Sequence, residues 1–112
     1  MVKIVLIGAG SSQFGLGTVS DIFKSDVLKD CNITLHDIND KALEKTRSTA
    51  EKYKKTFNAN CTIEATTNRK DALKNADYCL ISIEVGNRFE LWDQDWKIPL
   101  QYGFKQIYGE NG

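Results

Sequence analysis

The feature that most constrains this chain is the run VKIVLIGAGSSQFGL at residues 2–16, where an apolar stretch passes into two glycines and two serines and then into helical spacing. Residues 2–7 are interrupted only by Lys3, the pattern of a parallel strand covered on both faces. Phe14, Leu16, Val19, Ile22 and Phe23 follow at helical spacing, and Val27 and Leu28 close that apolar patch before a polar break at residues 29–32. A turn with so little side chain, set between a strand and a helix, predicts backbone N–H groups bared towards something anionic.

The alternation continues downstream. Residues 33–38 read as a second strand, and Asn39 as the N-cap of a long helix carrying Leu43, Thr46, Ala50, Tyr53 and Phe57. Residues 61–65 form a short third strand around Ile63, and Thr67 offers a cap for a helix with Ala72, Leu73 and Ala76 that ends at Asp77. Residues 78–83 are almost wholly apolar and short, as in a central buried strand. This order predicts the α/β class: a Rossmann-like parallel sheet of about four strands with helices on both faces. Beyond Val85 the period is lost, in a segment with both tryptophans and the only proline. The expectation is one dinucleotide-binding unit over residues 1–112 that forms the incomplete first part of a larger enzyme.

Bulk composition removes several function classes. Fifteen basic residues balance fifteen acidic ones, so no net field gathers nucleic acid or anionic lipid. No apolar run approaches a membrane span and no signal peptide opens the chain, which predicts a cytoplasmic location. Cys31, Cys61 and Cys79 are odd in number and lack zinc-site spacing, so they are expected to be buried, reduced thiols.

The dinucleotide fingerprint asks for one glycine at the strand exit, a second where backbone nears the pyrophosphate and a third for helix packing. Gly8 and Gly10 fill the first two places, while the third holds Gln13. Ser11 and Ser12 add hydroxyl donors near the helix N-terminus. The motif's carboxylate is Asp37, 24 residues past Gln13 against the usual offset of about 20, placed to accept from ribose hydroxyls and to favour NAD over NADP. The competing reading is a plain turn at Gly8 and Gly10 and an Asx turn at Asp37. His36, the only histidine, reads as a partly exposed structural residue or one near the adenine pocket, since strand neighbours face opposite sides. Trp92 and Trp96, four apart, suit packing into a neighbouring element more than sugar stacking. Arg88 either grips an anionic substrate or neutralises Glu84 or Glu90. Asp93 and Asp95, two apart, cannot face each other as a hydrolytic pair on a helix.

Taken in order, "GAGSSQF", "VSDIF", "ITLHDI", "NADYCLISIEVG" and "DWKIPLQYGFKQIYGENG" resemble the N-terminal NAD domain of glycoside hydrolase family four, over essentially the whole chain. The variant with "GAGS", a Phe and "SDI" is more similar to members acting on unphosphorylated α-glucosides, α-galactosides or related uronides than to the phosphosugar members. The resemblance implies hydrolysis through transient oxidation, an exception to the two-carboxylate scheme of glycosidases. NAD accepts a hydride from sugar C3, manganese polarises the resulting ketone, a base removes the C2 proton, the aglycone leaves C1, and water and hydride return. It assigns Gly8, Gly10, Ser11, Ser12, Gln13 and Phe14 to the pyrophosphate loop and Asp37 to the ribose. It also assigns Glu84, Val85 and Asn87 to the cofactor cleft and Glu110 to Gly112 to the nicotinamide and sugar, with Asn111 at the substrate, where Arg88 is the other candidate. The family's metal ligands and base fall beyond residue 112, so the chain alone is expected to bind NAD and hydrolyse nothing. A half-sheet with an exposed edge further suggests a homo-oligomer. Two alternatives stay open: a lactate or malate dehydrogenase-like domain, and a stand-alone dinucleotide-binding module.

Overall fold

A computed structural model describes residues 1–83 and 86–105, with backbone only at Ser12. Eight elements alternate along the described chain: β1 (Lys3–Ile7), α1 (Ser12–Lys24), β2 (Asn32–His36), α2 (Asp40–Phe57), β3 (Thr62–Thr66), α3 (Arg69–Leu73), β4 (Tyr78–Ile81) and α4 (Arg88–Gln101). The strands form one parallel sheet in the order β3-β2-β1-β4. The Rossmann-like α/β expectation therefore stands, with its crossover from β3 past β2 and β1 to β4.

Strand alternation splits the core into two layers. Ile4, Leu6, Ile33 and Leu35 face Val19, Ile22 and Phe23 of α1 and Leu43 and Ala50 of α2. On the other side Val5 and Ile7 meet Ala72 of α3. The α2 stripe at Leu43, Thr46 and Ala50 is buried as its spacing predicts. Asn39 caps that helix by accepting from the Ala42 amide at 3.1 Å.

Several boundaries differ from the sequence reading. The cap of α3 is Asn68, not Thr67: its Oδ1 accepts from the Lys70 and Asp71 amides at 3.0 and 3.3 Å. That helix ends at Leu73 rather than Asp77, whose Oδ2 instead takes the Lys3 amide at 2.8 Å. Val27 is 89% exposed and does not close the α1 patch, a task left to Leu28. Strand β2 stops before Ile38, which is 91% exposed.

The largest departure is β4, expected as a central buried strand. It lies at the sheet edge, and all four of its residues are exposed. Continuous apolar character reports that a strand is suited to cover on both faces, but the cover must come from other elements. Cys79 is exposed with it, against the expectation of a buried thiol, whereas Cys31 and Cys61 are buried and free.

Candidate functional site

The C-terminal ends of the strands enclose a cleft of about 500 Å³, lined from one side by Gly8, Ser11 and Ser82 and from the other by His36, Asp37 and Asn39. Open α/β sheets place ligands outside these strand ends, where the chain turns into helices on opposite faces.

The glycine turn is built differently from the expected row of bared amides. The amides of Gly8 and Ala9 both donate to the His36 carbonyl, at 2.9 and 3.0 Å. The Gly10 amide donates to Asp37 Oδ2 at 2.8 Å, and the Ser11 amide to the Gly8 carbonyl at 3.1 Å. The turn therefore staples β1 to the end of β2. What remains for an anion is the first turn of α1, whose opening amides lack an intrahelical partner. Its N-cap Ser11 makes no side-chain cap bond, and no acidic residue stands in that turn to compete.

Three glycines at the turn and the start of α1 have a steric reason. Gly8 sits at φ +91°, and a Cβ there would run into the Ser82 carbonyl oxygen of the chain leaving β4. A Cβ on Gly10 would lie 2.6 Å from Asp37 Oδ2, so the missing side chain admits the carboxylate to the turn. The third glycine of the fingerprint, which the sequence reading assigned to Gln13's place and found missing, is Gly15. A Cβ on it would collide with the Ala9 carbonyl and press to 3.1 Å from Thr46 Cγ2 of α2. The signal was legible as a glycine two residues later than the motif allows. Gln13 is exposed, and Phe14 packs its ring against the core, leaving only its amide to the site.

Asp37 is half-buried at the cleft wall, with Oδ1 accepting from the Asn39 amide at 2.9 Å and Oδ2 from Gly10. The Asx turn offered as the competing reading is thus present, and the carboxylate keeps further lone pairs for hydroxyl donors in the cleft. His36 is 4% exposed rather than partly exposed, and its Nδ1 lies 3.0 Å from the Thr66 carbonyl. A carbonyl only accepts, so Nδ1 carries the proton it donates there.

Arg69, which sequence reasoning passed over, lines the cleft at the start of α3. Its place follows from the sheet order, since β3, which precedes it, is the neighbour of the strand that leads into Asp37. Arg88 lines the opposite end, with its guanidinium carbon 5.5 Å from the Trp92 ring centroid. Asn87 spends its side-chain oxygen on capping α4, accepting from Phe89 and Glu90 amides at 3.0 and 3.4 Å. Trp92 and Trp96 are each 37% exposed, and the Phe89 ring meets Trp92 edge-on with centroids 5.9 Å apart. Asp93 pairs with Lys97 at 2.6 Å, one turn along the same helix. Glu84, Val85, Glu110, Asn111 and Gly112 lie outside the described residues.

With this geometry in view, known proteins sort clearly. An alpha-glucosidase of Erwinia rhapontici is 54% identical over 110 residues, which are 98% of this chain and 24% of that protein. The chain spans about a quarter of the length of the curated relatives it matches. A 6-phospho-alpha-glucosidase from gut microorganisms, solved in complex with NAD and glucose-6-phosphate, aligns with a TM-score of 0.71 and 27% identity over 91% of this chain and 23% of its own. A malate dehydrogenase from Plasmodium falciparum aligns at 0.62 and 26%, over 80% of this chain and 27% of its own. The dehydrogenase shares the fold, but the model of the family 4 glycosyl hydrolases matches residues 3–112, and the chain belongs to that family.

Proposed function

We propose that this chain is the NAD-binding region of a glycosidase that hydrolyses α-glycosides by transient oxidation of the sugar. The observation that carries the reading is the cleft itself, where the uncapped N-terminus of α1 and the Asp37 carboxylate face one space at the strand ends. The first turn of α1 would receive the pyrophosphate, with the Ser11 hydroxyl, which makes no cap bond, adding a donor beside it. Asp37 would accept from the ribose hydroxyls, and its charge would repel a phosphate on the same ribose. Arg69, one strand further along the edge, would close the adenosine end. Arg88 would stand at the other end, on the side from which a sugar reaches the cofactor. When bound, NAD supplies the hydride acceptor for oxidation at C3.

The relatives extend the proposal to the longer protein. An alpha-glucosidase at 54% identity favours an unphosphorylated α-glucoside as substrate. Manganese, the proton-abstracting base, a cytoplasmic location and a homo-oligomeric assembly belong to the same proposal. Among the described residues no group of three or more His, Cys, Asp or Glu could hold a metal, so the metal would be bound by residues outside them. The malate dehydrogenase likeness covers the shared fold and adds no substrate contact of its own.

Calorimetric titration of NAD+ and NADP+ into the chain, with Asp37→Ala in parallel, tests the reading. The expected result is NAD+ binding preferred over NADP+, with the preference lost in the variant. Equal binding of both cofactors, unaffected by the substitution, would overturn it.

A further inference from the structure

Cys31 and Cys61 stand immediately before β2 and β3, at the end of the sheet opposite the cleft, and their sulfur atoms are 3.7 Å apart. The register that pairs Asn32 with Thr62 extends back to them, and the Thr62 amide donates to the Cys31 carbonyl at 3.1 Å. Adjacent parallel strands bring paired Cα atoms to about 4.8 Å, inside the range a disulfide spans. Both side chains point into the α1/α2 layer of the core, at 3% and 0% exposure. The Cys61 sulfur also lies 3.1 and 3.4 Å from the Lys29 and Leu28 carbonyls, which accept from its thiol.

We propose that Cys31 and Cys61 form a site of reversible oxidation, closing to a disulfide that pins the N-terminal ends of β2 and β3 together when the chain meets a small peroxide. Burial, and then the Cys61 sulfur beside it, pushes the Cys31 thiol up to about 12, so Cys31 stays protonated and serves as the resolving thiol. The Cys61 sulfur, giving up its proton, takes one oxygen from hydrogen peroxide as the O–O bond breaks, and the departing hydroxide takes that proton and leaves as water. Cys31 sulfur, giving up its proton, then attacks the sulfenic sulfur, and a second water leaves. Two thiols and one hydrogen peroxide thus give one disulfide and two waters. The oxidant must be small, because neither sulfur is open to a bulky disulfide. The closed loop contains all of β2 and α2, including Asp37 and Asn39, yet the bond lies a strand length of roughly 17 Å from the cleft. It therefore braces the region without blocking the site.

The test treats the folded chain with stoichiometric hydrogen peroxide, unfolds it in urea with N-ethylmaleimide, and maps unreduced peptides by mass. Native chain and Cys79→Ala are run together, because exposed Cys79 can link separate molecules. The expected product in both joins the Cys31 and Cys61 peptides, weighs two hydrogens less than their sum, and disappears with dithiothreitol. Chain oxidised while unfolded should instead scatter its pairings among the three cysteines. Recovery of Cys31 and Cys61 as alkylated thiols, or as sulfinic acids with no cross-linked peptide, would overturn the proposal. The native map decides alone if the variant does not fold.

Discussion

Leu6 and Leu80 are in-register neighbours on one face of one sheet, yet Leu6 is fully buried and Leu80 is 39% exposed. The same contrast separates the two regions to which they belong. From β1 to β3, apolar residues recur where α1 and α2 can cover them. From β4 through α4, equally apolar residues such as Ile81, Phe89 and Ile98 remain 51% or more exposed. Apolar patterning states which surface an element can bury; burial itself needs a partner supplied by another part of the chain.

The sharpest way to break this comparison is to truncate the two leucines separately. Leu6→Ala should lower the free energy of urea unfolding by about 2–5 kcal/mol, through lost transfer energy and a cavity in a packed layer. Leu80→Ala should cost under about 1 kcal/mol. Equal losses would show that β4 is as covered as β1.

In the cleft, Asp37→Ala removes the acceptor shared by the Gly10 and Asn39 amides and by the proposed ribose. Hydrogen bonds to a charged group contribute about 1.5–3 kcal/mol, so NAD+ affinity in calorimetry should fall by roughly ten- to a hundredfold. Arg69→Ala should weaken it by a smaller factor.

Alkaline titration probes the buried region through Cys31. Burial, and then the Cys61 sulfur, pushes its folded thiol up to about 12 from an ordinary value of 9.0. The folded state therefore holds this proton more tightly, and the stability so contributed is complete below pH 9 and lost as pH rises through 12. A decline of up to about 4 kcal/mol should appear across that window in urea melts and be absent in Cys31→Ser.

The smallest contrast compares two caps of one chemistry. Asn39→Ala should cost about 1 kcal/mol, because α2 carries buried Leu43 and Ala50 with it. Asn87→Ala should leave the global unfolding midpoint nearly unchanged and show only as faster amide exchange in the first turn of α4, which buries no residue.

The sequence by itself determined the order of strands and helices, the cap at Asn39, the glycines at 8 and 10 and the carboxylate at Asp37. These rest on local rules: strand and helix periods, the φ that only glycine adopts readily, and side-chain caps that close within three residues. Only the tertiary structure decided that β4 lies at the edge, that Gly15 is the close-packing glycine, and that Arg69 shares a cleft with Asp37. It also decided that the turn amides are spent on His36 and Asp37, leaving the helix end as the anion site. Each of these depends on what the chain brings alongside from tens of residues away: the Ser82 carbonyl against Gly8, Thr46 against Gly15, β3 beside β2. Periodicity records what a segment can bury or bond, while the partner that answers it is fixed by topology.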